Sequence, residues 1–174
     1  NILITGGSGY LGSVLTTRLI ADGHQVTVYD NLKYKQNSLV DLAHHDNFNF
    51  IYGDVRNTTD LLSEVKKADV IFPLAAIVGF PACEKDKHLA SQTNYEQIKT
   101  IDSNLSSDQM LILPNTNSGY GIGETGMYCD ETSPLNPITH YGKTKVDAEK
   151  VILDSQKGIS LRLATVFGVS PRMR

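Results

Sequence analysis

Two cysteines in 174 residues, and no surplus of basic charge, leave several protein classes out. Cys83 and Cys129 belong to no CxxC pair, so neither a disulfide framework nor structural zinc is indicated. The net charge of −3 offers no broad basic surface, and no nucleic-acid partner is expected. No apolar run approaches the roughly 20 residues that cross a bilayer, so no membrane partner is expected either. The first residues lack the charged-then-apolar order of a secretory signal, and Ile2 to Ile4 is too short for one. The expected location is therefore cytoplasmic. The chain opens on Asn1 without Met and is expected to lack a residue or more there. Repeats and low-complexity segments are also absent. What remains, 40% hydrophobic and 20% charged, suffices for one domain with a core.

The strongest local signal is at the start. Ile2-Leu3-Ile4 is a short apolar run, as in a strand buried on both faces. Thr5-Gly6-Gly7-Ser8-Gly9-Tyr10-Leu11-Gly12 follows, and then Val14, Leu15, Leu19 and Ile20 recur at helical spacing up to a stop at Gly23. The order is strand, glycine turn, helix. Gly6, Gly9 and Gly12 let the backbone approach a ligand closely, and the N–H groups of a helix start face a pyrophosphate. An ordinary strand-to-helix turn is the plainer alternative.

Five further strands follow, at 25–30, 48–53, 69–76, 110–114 and 159–164. Between them the pattern predicts a short helix around Leu61, Leu62 and Val65, and one helix over 82–103. It also predicts a loop over 115–137 and a helix over 140–155 that Gly158 ends. This alternation predicts an α/β doubly wound parallel sheet of six or more strands, Rossmann-like. Asp30 ends the second strand 18 residues after Gly12, near the offset of the acid that holds an adenosine ribose. A carboxylate there accepts from the 2′-hydroxyl and repels a 2′-phosphate, which favours NAD over NADP; Lys33 and Lys35 downstream are the counter-signal, and a solvated turn acid is the alternative. Asp54 ends the third strand, placed for an adenine amino group or to cap the next helix, a task Thr58 or Thr59 could also perform. Leu74-Ala75-Ala76 leaves room for a cofactor at the end of the fourth strand.

Tyr141 and Lys145, four apart on the last predicted helix, share a face. A phenol titrates near about 10, and an ammonium group beside it favours the phenolate, so the pair suits proton abstraction. A plain surface pair is the alternative.

Together these motifs resemble the extended short-chain dehydrogenase/reductase family, in its NAD-dependent nucleotide-sugar epimerase/dehydratase branch, over nearly the whole chain. Thr5 to Gly12 is similar to the family's TGGxGxxG turn, Asp30-Asn31-Leu32 to its NAD-type strand end, and Asp54-Val55 to its adenine contact. Leu74-Ala75-Ala76 resembles the fourth-strand segment, with Pro73 where His is usual. The resemblance implies cofactor contacts at Gly6, Gly9, Tyr10, Leu11, Gly12, Asp30, Asn31, Asp54, Val55, Leu74, Ala75, Ala76, Tyr141 and Lys145. It implies a hydroxyl partner for the tyrosine four residues before a Tyr-Gly pair; Tyr120-Gly121 selects Thr116, with Ser118 as runner-up. Thr116, Tyr141 and Lys145 are thus the implied catalytic set, with no metal.

By the same resemblance the substrate is a nucleotide sugar and the reaction an epimerisation through a transient ketone. Family dehydratases carry Asp-Glu after the catalytic Thr; Asn117-Ser118 here cannot move protons as that pair does. Net oxidation or reduction of a nucleotide sugar, and a non-catalytic dinucleotide-binding regulator, are the other readings. Thr165 stands where many epimerases carry Asn. Residues 1–168 read as the NAD-binding domain, and 169–174 as the start of an incomplete substrate-binding region. Arg172 and Arg174 there are read as a solvated tail, with phosphate contact as the alternative. A homodimer through the helices at 82–103 and 140–155 is implied. His44-His45-Asp46 reads as surface, Cys83 as structural, and Glu84 to His88 as a solvated helix start.

Overall fold

Short strands with both faces apolar are typical of a parallel sheet with helices packed on its faces. The computed structural model has that architecture and describes residues 1–123, 126 and 128–172; Arg174 lies outside them. Strands β1 (Ile2–Thr5), β2 (Val26–Asp30), β3 (Phe48–Tyr52), β4 (Val70–Pro73), β5 (Met110–Thr116) and β6 (Gly158–Leu163) form one sheet in the order β3-β2-β1-β4-β5-β6. Every pairing is parallel, with Ile2 opposite Val26 on one side and Val70 on the other.

Alternation along the strands divides the core in two. Leu3, Ile71, Leu111 and Leu113 meet Leu61 and Val65 of α2 (Thr58–Val65), and Ala148 and Ile152 of the last helix. Ile2, Ile4, Val26 and Val28 meet Ile20 of α1 (Tyr10–Ala21) with Leu39 and Leu42. The chain steps outward from β1 to β3, then returns to the other side of β1 with β4. The loops therefore diverge between β1 and β4 and leave a crevice at the carboxyl ends of the strands.

Several elements differ from the sequence pattern. The buried face of α1 is Gly12, Ser13, Thr16 and Ile20, while Val14 is exposed, because the helix start packs against the glycine turn and later backbone. The single helix expected over 82–103 is three: α3 (Phe80–Lys85), α4 (Lys87–Ser91) and α5 (Gln97–Asp102). Asp86 breaks it with extended backbone, and its carboxylate caps α4 by accepting from Leu89 N. A π-turn, Gln92–Glu96, joins α4 to α5. Strand β4 stops at Pro73 rather than Ala76, and β5 runs on to Thr116. The last helix, α6 (His140–Ser155), matches its expected bounds, but left-handed Gln156 ends it (φ 59°) and Gly158 begins β6. A Cβ on Gly158 would lie 2.3 Å from Leu111 O, so close strand pairing demands glycine there. Among the described residues no helix is long and apolar enough to cross a membrane.

Candidate active-site crevice

The crevice encloses ≈ 780 Å³, within the range of small-molecule sites. Gly6, Gly9, Tyr10, Leu11 and Gly12 line it, with Asp30, Asn31, Asp54, Val55, Leu74, Ala75 and Ala76, and also Thr116, Tyr141 and Lys145. Fourteen candidates from four loops and two helices therefore face one space, together with the hydroxyl partner on β5.

At its floor the glycine turn leaves no room for side chains. Gly6 has φ +70°, and a Cβ on it would sit 2.6 Å from Ala75 Cα. The missing side chain lets the turn pack directly on the backbone after β4, and beside it lies the start of α1, whose first turn holds no acid and whose Gly9 cap offers no side chain. That is a cradle for a negatively charged group such as a pyrophosphate.

Asp30 is not a solvated turn acid. It is 7% exposed, and its carboxylate accepts from Ser8 N (3.0 Å) and Leu32 N (2.8 Å). Burial pushes its pKa up, and the two backbone bonds oppose that. Asp30 thus holds the glycine turn against β2 while lining the crevice. Asp54 accepts from Arg56 Nε (2.9 Å), Arg56 Nη2 (2.7 Å) and Asn31 Nδ2 (3.1 Å). Arg56 holds its pKa well below the usual carboxylate range. Neither Asp54 nor Thr58 or Thr59 caps α2; Asn57 does, accepting from Asp60 N.

The wall opposite is the backbone after β4. Leu74 N donates to Thr5 O, and Ala75 N to Thr5 Oγ1. Two buried amides that sequence reasoning missed hold this wall, Asn94 from the π-turn and Gln97 from the start of α5. Gln97 donates to Ala75 O and Thr93 O and accepts from Thr5 Oγ1. Asn94 pairs with both Ile77 N (2.8 Å) and Ile77 O (3.0 Å), and donates to Thr144 Oγ1. Since Thr144 lies between Tyr141 and Lys145, the wall and α6 are fastened together. Polar residues at inward helical positions were the available signal. Cys83 is structural: fully buried, it donates to Ile77 O, and burial pushes its thiol pKa up.

On α6, Lys145 is 5% exposed and its ammonium donates to Pro114 O (2.9 Å). Burial lowers its pKa from 10.5 to about 8, and the Glu149 carboxylate opposes that fall. Thr116 Oγ1 donates to Ser118 Oγ (3.1 Å); only Thr116 of the two lines the crevice. One helical turn beyond Lys145, Glu149 is 1% exposed. Its Oε1 accepts from Arg162 Nε and Nη2, its Oε2 from Asn115 Nδ2 and Ser160 Oγ. Burial raises the pKa of Glu149, but these partners outweigh it and hold the net value down. Glu149 was missed, although its i+4 spacing from Lys145 was legible.

Chemically, a dinucleotide fits the glycine cradle and the buried acid, and the Tyr141 phenol and Lys145 ammonium that line the same crevice are groups able to move a proton. Residues 2–174 match the model of the NAD dependent epimerase/dehydratase family. The chain is 30% identical over its whole length to a probable UDP-arabinose 4-epimerase of Oryza sativa subsp. japonica, covering 46% of that protein. Over 99% of its length it is 31% identical to UDP-glucuronic acid decarboxylase 1 of Xenopus tropicalis, covering 42% of it. Among solved structures, a UDP-glucuronic acid 4-epimerase from Bacillus cereus in complex with NAD superposes with a TM-score of 0.84 at 28% identity, over 99% of this chain and 60% of that one. The chain spans about half the length of the curated relatives it matches.

Proposed function

The chain belongs to the NAD dependent epimerase/dehydratase family, and on that premise we propose that it is the cofactor-binding part of an NAD-dependent nucleotide-sugar epimerase. The observation that carries this reading is that Thr116, Tyr141 and Lys145 open onto the same crevice as the glycine turn and Asp30.

On this reading residues 1–168 are the NAD-binding domain, and 169–174 begin the substrate-binding region. The glycine turn and the start of α1 hold the cofactor's pyrophosphate, and Asp30 its adenosine ribose; Asn31, Asp54 and Val55 border the adenine, and Leu74 to Ala76 border the rest. Bound NAD supplies a hydride acceptor and donor. Tyr141 takes the proton from a sugar hydroxyl as its carbon is oxidised, and returns a proton on reduction. Lys145 binds the nicotinamide ribose and favours the phenolate. Thr116 hydrogen-bonds the reacting oxygen. Reduction of the transient ketone from its other face yields the epimer. Asn117 and Ser118 cannot supply the acid–base pair of dehydration, and Thr116 already engages the Ser118 hydroxyl. Net oxidation or reduction to a released product is the second reading, favoured by a 3-beta-hydroxysteroid dehydrogenase of Mycolicibacterium neoaurum among the relatives, 29% identical over 96% of this chain. A cytoplasmic homodimer through α3–α5 and α6 completes the proposal.

The test is the full-length protein incubated with a panel of nucleotide sugars. Epimer should accumulate while NAD stays bound and unreduced; NADH formed in proportion to product selects the oxidoreductase. Tyr141→Phe should lower turnover by about 10²–10⁴-fold and change NAD affinity only a few-fold. Survival of turnover in that variant overturns Tyr141 as the base.

A further inference from the structure

The segment after β6 does not run off as a solvated tail. It crosses to the start of α1 and is fastened there. Ser170 is 4% exposed; its hydroxyl donates to Tyr10 O (2.7 Å) and lies 3.0 Å from Ser13 Oγ. Tyr10, which lines the crevice, donates its own hydroxyl to Gly168 O (2.5 Å) and so ties the strap to the start of α1. Arg172 N donates to Ser170 Oγ, which fixes where the next side chain leaves the strap. Arg172 then extends over the ring of Tyr34, with its guanidinium carbon 5.7 Å from the ring centre. Arg172, Tyr34 and Lys33 all line the crevice. A cation whose backbone is held by a buried serine thus lines the same crevice as a cradle that has no acid in its helix's first turn and no side-chain cap.

We propose that the strap Gly168–Arg172 is a cofactor-retention clasp in which Arg172 contacts the phosphates of the bound dinucleotide. It deepens the epimerase reading and rests on it for the cofactor's identity. An enzyme that oxidises and re-reduces one substrate uses the same cofactor molecule each cycle, so slow cofactor release serves it. A guanidinium offers paired donors that match phosphate oxygens, and Tyr34 stores the side chain in a preformed position by its ring face. Ser170 anchors the strap, and Arg172 supplies the charge.

The experiment uses the full-length protein and measures NAD dissociation rate, with affinities for ADP and for adenosine, in wild type, Arg172→Ala and Ser170→Ala. For Arg172→Ala the expected result is roughly tenfold or greater acceleration of NAD release and a matching loss of ADP affinity, with adenosine affinity unchanged within about twofold. Ser170→Ala should shift NAD and ADP in the same direction by less. Equal losses for ADP and adenosine would reassign Arg172 to the nucleoside and overturn the proposal, as would NAD release unchanged in Arg172→Ala. None of these readouts needs sugar turnover. A protein that holds NAD through the clasp yet epimerises nothing would sink the functional reading and leave the clasp standing.

Discussion

Lys145 combines deep burial with an ionisable group on the crevice. With its pKa lowered from 10.5 to about 8 by burial, the Lys145 ammonium is lost as pH rises through about 8. If the proposed function holds, turnover of the full-length protein should therefore decline on that limb. Folding stability moves the other way. An unfolded lysine titrates near 10.5, so between about 8 and 10.5 the unfolded chain binds more protons than the folded one. The cost of burying the charge is complete below about 8 and fades as pH rises across that window. Relative to Lys145→Met, the wild type should gain on the order of 1–3 kcal/mol from pH 7.5 to 10.5 in urea unfolding; parallel curves would show that Lys145 is not desolvated. The position of Lys145 was legible from its spacing to Tyr141, and that of Asp30 from its distance to Gly12. Their burial was not, because it depends on Pro114 and Ser8, which approach from other elements.

Helix α6 carries Tyr141, Lys145 and Glu149 along one face, and the last ties it to the sheet. Arg162 of β6 gives two hydrogen bonds to Glu149 and lies 5.3 Å from the Tyr120 ring centre. It also donates to Tyr120 Oη and Glu131 O, so one guanidinium joins α6, β6 and the loop after β5. Arg162→Met leaves a buried carboxylate without its counter-charge and should cost about 3–5 kcal/mol. Glu149→Met combined with Arg162→Met removes both charges and should recover most of that loss. Urea unfolding of the four forms checks it; a double variant as unstable as the single would mean that the ion pair itself stabilises the fold. Such networks explain which elements were legible. α6 announced itself because its apolar and reactive positions repeat over 16 residues. The region 80–102 did not: its breaks come from the Asp86 cap and from a π-turn held by Asn94 and Gln97 on the β4 wall. Local helical spacing contains no record of those partners.

At the scale of the molecule, two exposed faces among the described residues differ in chemistry. The outward side of α6 exposes Lys143, Asp147, Lys150 and Asp154, and beside it stand Glu96 and Lys99, also exposed. The sheet face of β5 and β6 opposite α6 instead exposes Met110 (44%), Ile159 (48%) and Leu161 (43%). Self-association through the helices, as proposed above, joins surfaces of alternating charge. Ion pairs at such depth are worth little singly and are screened within about 8 Å at physiological salt. The helical dimer should therefore weaken several-fold between about 50 mM and 500 mM salt, and Asp147→Lys with Lys150→Glu should disturb it. Contact through the apolar strip would respond oppositely, since its driving force is water release rather than charge. Sedimentation of the full-length protein across salt decides between them. Association that holds or tightens at high salt, and yields to Ile159→Thr with Leu161→Thr instead, would move the contact from the helices to the sheet.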